Sequence, residues 1–99
     1  MEFPPSPPIS GINKNYPNPF NPDTSIIYGL GKSGNVSLDI YNVRGQRVRN
    51  LLNTEQKEGW YKLIWDGSDD RGNTLPSGMY YLRLTVEGNH YLRRITLMK

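Results

Sequence analysis

Apolar and polar residues alternate with period two along most of this chain, the mark of strands that bury one face and wet the other. Thr24 to Leu30 sets Ile26, Tyr28 and Leu30 on one side, and Asn35 to Val43 sets Val36, Leu38 and Ile40 inward with Ser37 and Asp39 outward. Gln46 to Leu52 carries Val48 and then Leu51 or Leu52, a doublet that predicts an irregularity in the strand. Tyr61, Leu63 and Trp65 share a face, as do Tyr80, Leu82, Leu84 and Val86. Ile95 and Leu97 close the last strand, and with a short first strand near Ile12 to Tyr16 the pattern predicts seven.

The breaks between these runs have turn chemistry. Gly31-Lys32-Ser33-Gly34, Asn42-Val43-Arg44-Gly45 and Glu87-Gly88-Asn89 offer Gly or Asn where positive φ is needed. Glu87-Gly88-Asn89-His90 is tight enough for a hairpin. No segment sustains a 3.6-residue period, so no helix is expected. Short strands with turns about every ten residues predict an antiparallel β-sandwich, its sheets about 10 Å apart.

Composition narrows the class. A chain of 99 residues is one small domain, and 35% hydrophobic with 11% aromatic content gives it a thin core. Seven tyrosines against two phenylalanines fit half-buried strand faces better than a greasy interior. The net charge of +3 is mild, with local concentrations only at Arg44/Arg47/Arg49 and Arg93/Arg94/Lys99. That is too sparse a footprint for nucleic acid. There is no cysteine, hence no disulfide, thiolate metal site or Cys nucleophile. No apolar run is long enough to span a bilayer, so the chain reads as not transmembrane, and no signal peptide is visible.

The chain divides into residues 1–11 and 12–99. Met1-Glu2-Phe3 reads as vector-derived, and Pro4-Pro5-Ser6-Pro7-Pro8 as a semi-rigid extended spacer, which implies a fused parent protein on its N-terminal side. Residues 12–99 are the folded domain.

Candidate chemistry is scarce. Asp66, Asp69, Asp70 and Asn73 could ligate calcium, but the spacing lacks the bidentate Glu of an EF-hand and Arg71 sits among them. The expected role of Asp66 and Asp69 is to cap turn amides. His90, the one histidine, falls in a turn without a nucleophile in a recognisable motif. The expectation is a non-enzymatic domain with no catalytic residue, no cofactor and no metal. Trp60, Ile64, Ile27, Met79 and Tyr81 have outward parity and form a candidate binding surface, aromatic enough to stack on sugar rings.

Three stretches carry a resemblance to a known family. They are Tyr16-Pro17-Asn18-Pro19-Phe20-Asn21-Pro22; Ile40-Tyr41-Asn42-Val43-Arg44-Gly45-Gln46-Arg47-Val48; and Trp65-Asp66-Gly67 followed by Asp69, Gly72, Gly78 and Tyr80-Tyr81. Gly59 and the final strand ending at Lys99 complete the pattern. In this order and spacing the chain resembles the C-terminal sorting domain of proteins exported by the type IX secretion system, related to the Ig-like domain of flagellar hook-capping proteins. The resemblance implies an Ig-like or fibronectin-III-like sandwich of seven strands. It further implies a non-catalytic address at the C-terminus of a larger protein, exported through the periplasm of a Gram-negative bacterium to the cell surface or medium. The implied partners are an outer-membrane translocon and a surface sortase. The last strand, Tyr91 to Lys99, is the part such domains present, making Tyr91, Arg93, Arg94, Ile95, Leu97 and Lys99 the candidate recognition residues. Tyr16 and Phe20 are expected to anchor a non-pairing, proline-stiffened lead-in against the sandwich. The competing readings are a carbohydrate- or surface-binding module, and a structural spacer or cap-type assembly domain.

Overall fold

The computed structural model describes residues 7, 9–20 and 23–98. Within them the alternation produces β1 (Gly11–Tyr16), β2 (Thr24–Leu30), β3 (Gly34–Tyr41), β4 (Arg47–Gln56), β5 (Gly59–Trp65), β6 (Gly78–Val86) and β7 (Asn89–Leu97), with no helix. One sheet runs β1-β2-β5 and the other β4-β3-β6-β7, every neighbouring pair antiparallel. The fold is the expected Ig-like β-sandwich. Its fourth strand pairs with β3, unlike the antibody constant arrangement, where that strand joins the other sheet.

The inward parity holds throughout. Ile26, Tyr28, Leu30, Val36, Leu38, Ile40, Trp65, Leu82, Leu84 and Ile95 are almost fully buried. Each such aliphatic or aromatic side chain contributes roughly 1.5–3 kcal/mol by leaving water. The irregularity falls at the Leu doublet: Leu38 faces Leu52 but Asp39 faces Asn50, which leaves Leu51 as the bulged residue. Val48, Leu51 and Leu52 all pack partly buried against the core.

Several local expectations are corrected. β3 stops at Tyr41 instead of Val43, because the Asn42 carboxamide accepts hydrogen bonds from Arg44 N and Gln46 N at 2.9 and 3.0 Å and turns the chain. β4 continues four residues past Leu52, to Gln56, since β3 offers it partners as far as Gly34. Asp39 has outward parity yet is buried, covered by Asn50 Nδ2 at 2.8 Å and the Arg47 guanidinium at 3.6 Å. The β6–β7 turn is Glu87-Gly88, both at positive φ (46° and 84°), as a two-residue hairpin requires. His90 therefore lies in β7 opposite Thr85, whose hydroxyl is 3.0 Å from its Nδ1, and not in the turn.

Of the spacer, Pro4, Pro5, Ser6 and Pro8 lie outside the described residues, as do Met1, Glu2 and Phe3. Pro7 is buried, its ring closing with that of Trp60 over Gly29, where any Cβ would stand 2.9 Å from both. Packing thus begins ahead of residue 12.

Candidate functional site

The Trp65-to-Leu75 stretch folds into a stiff corner because its polar side chains bond their own backbone. Asp66 Oδ1 accepts from Ser68 N at 3.0 Å and from the Ser68 hydroxyl. Asp69 Oδ1 accepts from Arg71 N and Asn73 N, both at 2.9 Å. These are the amide caps that the sequence predicts for the two aspartates. Asp70 Oδ1 instead reaches Asn50 N on β4 at 2.9 Å, while Asp70 N donates to Val48 O. Arg49 adds bonds from one nitrogen to the Ser68 hydroxyl at 2.6 Å and to the Asp69 carbonyl at 3.2 Å, with Asp66 and Asp70 each at 3.9 Å. The Ser68 hydroxyl, helped by Ser68 N and Arg49 against partial desolvation, holds the Asp66 carboxyl below its ordinary pKa. Trp65 Nε1 donates to Ser68 O at 2.9 Å, which ties the corner to the core.

That corner seats the end of the last strand. Trp65 lies between Phe20 (centroids 5.3 Å apart) and Tyr80 (5.7 Å, edge to face). Gly67, at φ 79°, lies against β7, the Leu97 methyls standing 3.4 Å from where a Cβ would be, and its left-handed backbone is what restricts the position to glycine. Tyr80 Oη donates to Pro76 O at 2.7 Å, and burial raises its pKa.

The lead-in does pair, contrary to the expectation of a non-pairing segment. Phe20 forms a parallel bridge with Leu97: Phe20 N donates to Thr96 O and Met98 N to Phe20 O, each at 3.0 Å. Asn18 completes the ladder by using its side chain as a peptide mimic, accepting from Thr96 N at 3.0 Å and donating to Arg94 O at 3.4 Å. Two steps back, Asn15 Oδ1 accepts from Arg93 Nε at 2.6 Å, and Thr24 Oγ1 donates to Pro17 O at 2.8 Å. Pro17 and Pro19 both follow cis peptide bonds. Phe20 is buried, but Tyr16 is 71% exposed and anchors nothing, because the chain turns so that Asn15 faces inward in its place.

Parity on β7 revises the recognition residues. Ile95 and Leu97 are core, Tyr91 and Arg93 are half-buried, and Lys99 lies outside the described residues. Of the six, Arg94 alone is described as exposed. Leu92, which the family pattern does not single out, is 68% exposed on the same outer face. The sequence marks it only as an apolar residue at an outward position between His90 and Arg94.

The candidate binding surface does not assemble. Ile27 lies on β2, and Trp60 and Ile64 on β5, whereas Met79 and Tyr81 lie on β6 of the opposite sheet. The two sets face away from each other. On the second face a groove of about 390 Å³ opens between Tyr41, Val43, Tyr81, Arg83 and Leu92. Among the described residues no group of three or more His, Asp or Glu is placed to hold a metal.

The sequence profile of the FlgD Ig-like domain matches residues 23–89. No curated protein matches the chain. Among solved structures, dimeric latent PorU from Porphyromonas gingivalis superposes with TM-score 0.72 over 90% of this chain and 9% of its own, at 19% identity, a likeness of fold alone. FlgD from P. aeruginosa gives TM-score 0.58 at 28% identity over 75% of this chain and 59% of its own. PorZ, an essential surface component of the type IX secretion system of P. gingivalis, gives 0.57 at 26% over 90% and 12%. The chain therefore spans less than two thirds of each of these proteins. No helix among the described residues is long and apolar enough to cross a membrane. With the profile covering two thirds of its length and the sandwich in place, the chain belongs to the FlgD Ig-like domain family.

Proposed function

We propose that this domain is a non-catalytic C-terminal sorting signal that directs a larger protein, joined through the spacer at residues 4–8, across the outer membrane by the type IX secretion system. The observation that carries the reading is where the motifs go. The lead-in from Asn15 to Phe20 and the Trp65–Tyr80 stretch converge on one strand, β7, and hold it in place. The likeness to PorZ, at 26% identity across 90% of the chain, supports an association with that secretion system. Its partners are then an outer-membrane translocon and a surface sortase, and the transferable unit is the sandwich of residues 12–99 together with Pro7, which packs on it. The 28% identity to FlgD favours a second reading, a cap-type assembly domain on the same sandwich.

A reporter with an N-terminal export signal and this domain at its C-terminus tests the proposal. It should reach the surface of a bacterium that carries the type IX machinery and remain periplasmic in a strain without it. A periplasmic reporter in both strains contradicts the sorting role and leaves the assembly reading.

A further inference from the structure

Resting on the sorting proposal, we infer that the partner reads the outer face of β6–β7, together with Tyr41 of β3, and that it offers a carboxylate beside an apolar side chain. Elimination supplies the first step. The inner side of β7 is core, with Ile95 and Leu97 buried. Its C-terminal edge is closed by Asn18 and Phe20, which take the outward-directed amides of Thr96 and Met98 and the carbonyls of Arg94 and Thr96. A partner cannot add a strand there without first stripping off the lead-in. Besides the edge ahead of Arg94, β7 leaves open the outer face carrying Leu92 and Arg94, where side chains meet a partner.

That face is built for more than solvent. Arg83 stands opposite Leu92 in the β6–β7 ladder and opposite Asp39 in the β3–β6 ladder. Its guanidinium lies 4.6 Å over the Tyr41 ring and donates to the Tyr41 hydroxyl, while its Nε is buried without a hydrogen-bond partner among the described residues. Asp39, the neighbouring acid, is turned toward Arg47 and Asn50. The groove lining contains Arg83 and His90 but no carboxylate. The guanidinium lines the groove without a carboxylate partner among the described residues, and a carboxylate is the group that pairs with it most strongly. Around it stand Val43, 67% exposed, Leu92, and Tyr81 at the rim, apolar area that a partner's aliphatic or aromatic side chain would cover. Charge and shape together fit an acidic-apolar protein segment.

Two arms test this. In the first, the folded domain is titrated with N-acetyl-Leu-Asp-Leu-amide and with its Asn counterpart while amide and Arg Nε–H NMR shifts are followed. Shifts confined to Tyr41, Tyr81, Arg83 and Leu92, and roughly tenfold weaker binding of the Asn peptide, support the surface. Dispersed shifts, none at all, or equal binding of both peptides overturns it. In the second arm, Leu92→Ser and Arg83→Gln are placed in the exported reporter, with Ile64→Ser on the opposite sheet as control and unchanged denaturation midpoints as proof of folding. Surface display should fall about tenfold for the first two and hold for the control. If the parent reporter is displayed and all three variants are too, the face is not what the machinery reads. If the parent itself is not displayed, the sorting proposal fails, and the peptide arm still decides the surface.

Discussion

Trp65 joins three parts of the structure. It packs on Phe20 from the lead-in and Tyr80 from β6, and its ring nitrogen holds the corner through Ser68 O. Trp65→Ala should cost about 3–5 kcal/mol, as large core truncations do, out of roughly 5–15 available. A denaturation midpoint unchanged in the variant would contradict that placement. Tyr28 makes a second prediction. Burial pushes its pKa up to about 12, and its hydroxyl donates to Gln56 Oε1 at 2.7 Å. A phenol whose folded pKa is raised favours the neutral form, so its contribution is complete below the unfolded value near 10 and lost as pH rises toward 12. The loss should be on the order of 2–3 kcal/mol, with Tyr80 shifted in the same direction. Alkaline denaturation should therefore be blunted by Tyr28→Phe; an identical pH profile would remove Tyr28 as its cause.

Among the elements, the lead-in and β7 form the pair that matters. Asn18 substitutes its carboxamide for a peptide group, extending a ladder between two segments 78 positions apart. Asn18→Ala should leave the sandwich folded but speed amide hydrogen exchange at Thr96 by about an order of magnitude, since one bond of about 1 kcal/mol and its neighbours are lost. Exchange at that amide equal to the parent's would show that the clasp does not hold. This clasp was not legible in the sequence. Period-two alternation reveals which face of a strand is buried, and it placed the cores of β2, β3, β5, β6 and β7. It cannot reveal which strand lies beside a given edge, because edge pairing uses backbone groups that every residue carries. The exposure of Tyr16 escaped for a different reason: a register shift between Ile12 and Lys14 inverts the parity of β1, so that Asn15 faces inward and Tyr16 outward. Leu92 gave no signal of its own, because a single apolar residue at an outward position is ordinary on a strand surface. The aspartate caps of the Trp65–Leu75 corner were legible, since Asp and Asn bond to backbone two to four positions away and sequence spacing is then the geometry.

At the scale of the whole molecule, one sandwich accommodates both the proposed sorting role and the assembly reading, because the fold is shared with FlgD and PorZ alike. What separates them is the surface around β7. The most direct measurement pairs two reporters in one bacterium carrying the type IX machinery: one ends in this domain, the other in the Ig-like domain of P. aeruginosa FlgD, matched in fold at TM-score 0.58. Surface display of the first with periplasmic retention of the second is the predicted result. Retention of both, or display of both, would contradict an address written on this domain's own last strand.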